Sequence, residues 1–144
     1  MLANLKIRTC IYCSKKVGSL KNKHIECEKK YIDGKNQIVD IIRDSILFGS
    51  DYKEIDDLIT VIAKENYIKD DKLNESILIG WDNAIKKFID DGNLSSEVDT
   101  NIAKFNKHFN YSKDELDKND SYKKIIQLFL LRDVLKGNLL NYSD

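Results

Sequence analysis

Apolar residues recur at three- and four-residue steps along most of this chain, the period of helices that bury one face. Between His24 and Phe48 the repeating positions are Tyr31, Ile38, Ile41, Ile42 and Ile46, and Gly49 follows as a C-terminal stop. Gly34 lies inside that stretch, and its cost of about 1 kcal/mol relative to alanine predicts a kink or local break. Asp51 with Glu54 has capping-box spacing and opens a second helix with Ile55, Leu58, Ile59 and Ile62 as its apolar face. A third helix, from about Asp71 to Asp91, carries Leu73, Ile77, Leu78, Trp81, Ala84, Ile85 and Phe88 on one side and ends at Gly92. A fourth starts near Ser95, with Val98, Ile102, Phe105 and Phe109 as its stripe. Ser112 with Glu115 is a second capping box and predicts a short helix holding Leu116. The last helix, from about Asp120 to Lys136, presents Ile125, Ile126, Phe129, Leu130 and Leu135 and stops at Gly137. No segment here sustains the alternation of a strand. The pattern predicts an all-α body of five to six helices over residues 35–144.

The stretch over residues 1–34 reads as a different kind of unit. All three cysteines and one of the two histidines fall in it, as Cys10-x2-Cys13-x10-His24-x2-Cys27. A Cys-x-x-Cys turn aims two sulfurs at one point, and His24 and Cys27, three apart, share a face on a first helical turn. Three thiolates and an imidazole make a closed tetrahedral shell suited to a structural zinc ion, with no position left for water or substrate. The intervening residues 14–23 can form a short hairpin with Val17, Gly18 and Leu20 as its apolar points, a treble-clef or ribbon-like finger. Ser14 stands where such knuckles favour glycine, which predicts a slightly strained turn. A thioredoxin-type role for the Cys-x-x-Cys would need a βαβ setting, and none is present. The finger is expected to run without a break into the first body helix.

Charge refines this picture. The chain has 24 basic and 24 acidic side chains, yet residues 1–30 hold eight basic and two acidic ones, a net +6 set against −6 in the remainder. The basic head has two readings: lysines that only solubilise a module with little core, or a surface for phosphate or an acidic protein. On the second, Arg8, Lys15, Lys16, Lys21 and Lys23 are the candidate phosphate contacts and Tyr12 a candidate base-stacking ring. An odd cysteine number argues against a secreted disulfide framework and for a reducing, cytoplasmic setting. The longest apolar run, Leu128 to Leu131, is far short of a membrane span. Six glycines leave little room for a phosphate-cradling loop.

Other constellations fail on inspection. Placing Gly92 at position six of a calcium loop puts Lys87 and Ile89 at the first and third positions, where neither can ligate. His108 has no cysteine or serine motif to partner it and reads as a lone surface histidine. Trp81 sits on an apolar stripe and reads as core. The acidic pairs Asp56-Asp57, Asp70-Asp71 and Asp90-Asp91 read as capping or solvated residues. An internal echo links Glu54-Ile-Asp-x-x-Ile59-x-x-Ile62-x-Lys64 to Glu97-Val-Asp-x-x-Ile102-x-x-Phe105-x-Lys107, each followed by an Asn-Tyr pair; it is either a pseudo-repeat or coincidence.

The motifs Cys10-x-x-Cys13-x-Lys15-Lys16-x-Gly18 and Lys23-His24-x-x-Cys27-x-x-Lys30-Tyr31-x-x-Gly34 resemble the N-terminal finger of bacterial and phage proteins of unassigned activity. The likeness continues through Asp91-Gly92-x-Leu94-Ser95-x-Glu97 and Leu131-Arg132-Asp133-Val134-Leu135-x-Gly137. The middle of the chain resembles the helical region of TerB-type tellurite-resistance proteins. The resemblance implies an all-α fold with zinc; the acidic metal-binding residues of TerB-like domains have no identifiable counterparts here. No nucleophile, base and oxyanion groups converge in the sequence, so the expected function is non-enzymatic. It is that of a zinc-stabilised helical module that binds another protein, a host factor if the phage likeness is a guide. The alternative is a nucleic-acid binder working through the basic finger.

Overall fold

A computed structural model describes residues 8–142, with side chains through Gly137. Among the described residues six helices follow one another: α1 (Ile25–Phe48), α2 (Tyr52–Glu65), α3 (Asp70–Asp90), α4 (Ser96–Phe109), α5 (Lys113–Leu116) and α6 (Ser121–Tyr142). The fold is all-α, with a Cys/His cluster near the N-terminus. Among the described residues the only extended pairing is a single antiparallel bridge, Thr9 to Lys16.

The axis of the body is the pairing of α1 with α3, the most extensive in the molecule. Ile38, Ile42 and Ile46 of α1 are fully buried against Ile77, Trp81, Ala84, Ile85 and Phe88 of α3. Gly80 makes the crossing possible: a Cβ there would lie 2.7 Å from Ile42 Cβ and 2.8 Å from the Val39 carbonyl oxygen, so any side chain would wedge the two helices apart. Helices α2 and α4 close the flanks with Ile55, Ile59 and Ile62, and with Val98, Ile102 and Phe105. Trp81 belongs to the core: its indole stacks on Phe105 with centroids 4.9 Å apart, and its N–H donates to the Leu116 carbonyl at 3.0 Å.

The ends follow local chemistry. Ser112 and Glu115 form both bonds of a capping box, at 3.1 and 3.3 Å. Asp51 caps α2 through the Lys53 N–H at 3.1 Å, without the reciprocal Glu54 bond that its spacing predicted. Gly49 ends α1 in the left-handed region at φ +70°.

Three expectations are corrected. Helix α1 passes through Gly34 unbroken. That glycine is buried because Asn66 packs on it: a Cβ would lie 2.6 Å from Asn66 Cβ, so the position serves a close contact rather than a bend. Gly137 does not stop α6, which continues to Tyr142. The apolar stripes of α2 and α6 are narrower than drawn. Leu58 is 48% exposed, Leu130 61% and Leu135 53%, because no further layer of described residues covers those faces. Helix α6 meets the body through Ile125 and Phe129, and through Arg132, which donates to the Leu94 carbonyl at 2.6 Å and to Asp99 at 2.9 Å.

Candidate metal centre

Cys10 and Cys13 sit on a tight knuckle. The Ser14 N–H donates to the Cys10 carbonyl at 2.9 Å and the Cys10 N–H to the Lys15 carbonyl at 2.7 Å. To close this turn Ser14 adopts φ +64°, the left-handed conformation that costs an L-residue about 1–2 kcal/mol. The strain expected at this serine is therefore present. The expected hairpin is displaced. The Thr9–Lys16 bridge brackets the knuckle itself, while residues 17–23 run as turns back to the start of α1. The backbone groups of that segment are taken up elsewhere: Val17 N–H donates to the Arg8 carbonyl at 3.1 Å, Lys21 N–H to the Gly18 carbonyl at 2.9 Å, and the Asn22 carbonyl accepts from Ile11 N–H at 2.9 Å.

The second pair of donors comes from the start of α1. His24 is the N-cap residue, in extended conformation, and Cys27 lies in the first turn. All four donor atoms of Cys10, Cys13, His24 and Cys27 lie within 4.8 Å of one another. His24 Nδ1 is 3.4 Å from Cys13 Sγ and 3.6 Å from Cys27 Sγ. A tetrahedron with bonds of about 2.0–2.3 Å has edges of roughly 3.3–3.8 Å, so these spacings match its edges. The four residues are thus placed to bind a metal ion.

The surroundings prepare each donor. His24 Nε2–H donates to the Lys16 carbonyl at 2.8 Å, which leaves the Nδ1 lone pair facing the sulfurs. The same contact, with the neighbouring Cys13, raises the imidazole pKa above its ordinary value. Cys10 is buried, which alone pushes its thiol up. Hydrogen bonds from the backbone, including the N–H groups of His24 and Tyr12 at 3.4 Å each, outweigh burial and bring it down to about 6. Burial and the adjoining Cys13 and Cys10 sulfurs push Cys27 up to about 11. Crowded sulfurs resist joint ionisation, and a divalent cation among them removes that resistance.

The finger is clasped to the body by rings. Tyr12 packs on Tyr31 of α1 with centroids 5.0 Å apart, so this ring has a partner within the chain. Tyr67, held at φ +61° after α2, reaches the same hollow as the ligands, and the Lys30 ammonium lies 5.5 Å from its ring centroid. Nothing in the cysteine spacing points to Tyr67. Its only trace in the sequence is the Asn66-Tyr67 pair at the helix end.

Of the candidate phosphate contacts, Lys15, Lys16, Lys21 and Lys23 line one open hollow of about 590 Å³ beside the ligands. Lys23 is also paired with Glu28 at 2.8 Å. Arg8 and Tyr12 are not among the lining residues. Lys6, which counts in the basic head, lies outside the described residues. His108 lies on the helix surface as expected but is not alone: its Nε2 is 2.6 Å from Asp56 Oδ2 and its ring stacks on Tyr52 at 5.3 Å. No helix among the described residues is long and apolar enough to cross a membrane.

An all-α domain with one preformed Cys3His site is the class that the geometry defines. The chain belongs to the family described as Bacterial toxin 50, whose model matches residues 18–116. That segment takes in His24 and Cys27 and begins after Cys10 and Cys13. The match is to this toxin family, and it lends no support to the TerB likeness of the middle region. No curated protein and no solved structure matches the chain.

Proposed function

We propose that this chain is a non-enzymatic, zinc-stabilised helical module of its toxin family, acting by docking on a protein. Zinc fits the donor set, because three thiolates and one imidazole suit a borderline-soft ion without geometric preference of its own. The four protein donors complete the shell, so the ion would hold the finger together without meeting a substrate. A reducing, cytoplasmic setting goes with this reading, because three thiolates must stay reduced to hold the ion.

The observation that carries the protein-binding reading is α6. Ile125 and Phe129 face the body, whereas Leu130, Leu131, Val134 and Leu135 are each more than half exposed. A helix apolar on more sides than its own body covers is built for a further cover. Lys123, Lys124 and Lys136 flank that strip, with Asp133 as the acidic side chain among them. The matching surface is an apolar groove with an acidic rim, which fits a host protein better than a second copy of the same basic helix. The test is capture from nuclease-treated native lysate by the zinc-loaded chain, compared with Leu131→Asp/Leu135→Asp. A protein held by the native chain and lost by the variant is expected. Equal capture by both would sink the reading.

The lysine-lined hollow beside the ligands favours a second reading, nucleic-acid binding by the finger. Affinity for a single strand should then fall steeply with salt, and Lys15→Glu/Lys16→Glu should abolish it. Undetectable binding of both DNA and RNA at low salt excludes this alternative.

A further inference from the structure

A second hollow, of about 660 Å³, opens where the start of α2 meets the last turns of α4, away from the metal ligands. Ser50, Asp51, Tyr52, Lys104, Lys107 and His108 line it. The Tyr52 ring is 4% exposed and packs against Phe105, His108 and Phe109, which makes a rigid wall. Lys104 Nζ reaches the Gly49 carbonyl at 3.2 Å, which holds that ammonium at the rim. Neither Lys104 nor Lys107 is in an ion pair among the described residues. The Asp51 carboxylate, the one acidic group in the lining, accepts from Lys53 N–H as the cap of α2. The 14-residue helix behind it adds the positive end of its dipole.

His108 gives this hollow a defined chemistry. Its Nε2 is bound to Asp56, and an ionised carboxylate only accepts, so Nε2 carries the hydrogen. Nδ1 makes no hydrogen bond among the described residues. Two ammonium groups and an imidazole whose Nδ1 has no partner among the described residues therefore share one hollow at a helix start.

We propose that this hollow binds the phosphate group of a phosphate monoester, its oxygens on Lys104 and Lys107 and a further oxygen hydrogen-bonded to His108 Nδ1. A carboxylate offers two oxygens; a phosphate monoester offers three, one for each ammonium and one for the imidazole nitrogen. This site is independent of the α6 strip and of the finger lysines, so it stands or falls separately from the proposed function.

The test uses the intact, zinc-loaded chain titrated with inorganic phosphate, against chloride at matched ionic strength, while the His108 imidazole resonances are followed. Saturable movement is expected. Its Kd should rise by about tenfold or more in Lys104→Ala/Lys107→Ala, the loss of at least one charge-assisted contact. These are surface lysines, and an unchanged circular dichroism spectrum confirms that the variant is folded. Adenosine 5′-monophosphate and adenosine form the second arm. Tighter binding of the nucleotide than of inorganic phosphate assigns a nucleotide ligand, and equal binding assigns free phosphate, both on the same residues. No saturable movement at His108, or unchanged affinity in the double variant, overturns the proposal.

Discussion

The finger and the helical body are held together by different physics. In the body, α1 and α3 bury isoleucines and Trp81 to zero or near-zero exposure, and stability is spread over many contacts. In the finger, Ile11 is 59% exposed and Leu20 93%, leaving Cys10 as the buried side chain. Four donor atoms take the place of a core. An ion bound by them would concentrate the finger's stability on itself and on each ligand, whereas the body loses only a fraction of its total with any one side chain.

Metal removal should break this contrast most sharply. Structural zinc in finger peptides contributes about 10–16 kcal/mol of apparent binding energy, far more than the exposed apolar residues of residues 8–24 can supply. A strong chelator, or Cys13→Ser, is expected to collapse the amide resonances of that segment while most of the far-ultraviolet helical signal survives. Parallel loss of the whole helical signal would mean that the two regions fold as one unit.

Trp81→Ala is the complementary cut. Removing a fully buried indole, with its hydrogen bond to Leu116, should destabilise the body by about 3–5 kcal/mol in urea unfolding. One equivalent of zinc by elemental analysis should remain under native conditions. A variant that unfolds no more easily than the native chain would remove Trp81 from the centre of the core.

The smallest expected effect lies in the knuckle. Ser14→Gly relieves the φ +64° conformation and should stabilise the metal-loaded finger by about 1 kcal/mol. A competition assay with a chromogenic chelator would register this as about fivefold tighter retention of zinc. Weaker retention would show that the serine side chain contributes something the backbone argument omits.

What could be read from sequence was whatever is local. Helical period placed the five longer helices, because one buried face imposes a three-to-four repeat whatever its partner is. Ser112 and Glu115 signalled their cap at fixed spacing, and Cys10, Cys13, His24 and Cys27 signalled convergence in the same way. Where the reading erred, the missing information was tertiary. Gly34 looked like a break because its reason, Asn66, lies across a helix interface. Leu58, Leu130 and Leu135 looked like core because periodicity reveals which face is apolar but not whether anything covers it. His108 looked solitary because Asp56 is 52 residues away in the chain.

The unbroken passage of α1 through Gly34 has a geometric consequence. Its 24 residues form a strut of about 36 Å, with Cys27 in its first turn and Gly49 capping its far end. The cysteine-ligated end and the Tyr52–His108 corner are thus opposite ends of one beam. No single small molecule can span them, and only an extended polymer or a broad macromolecular face could touch both at once. Rotation of the beam at one end must be delivered to the other as a rigid tilt.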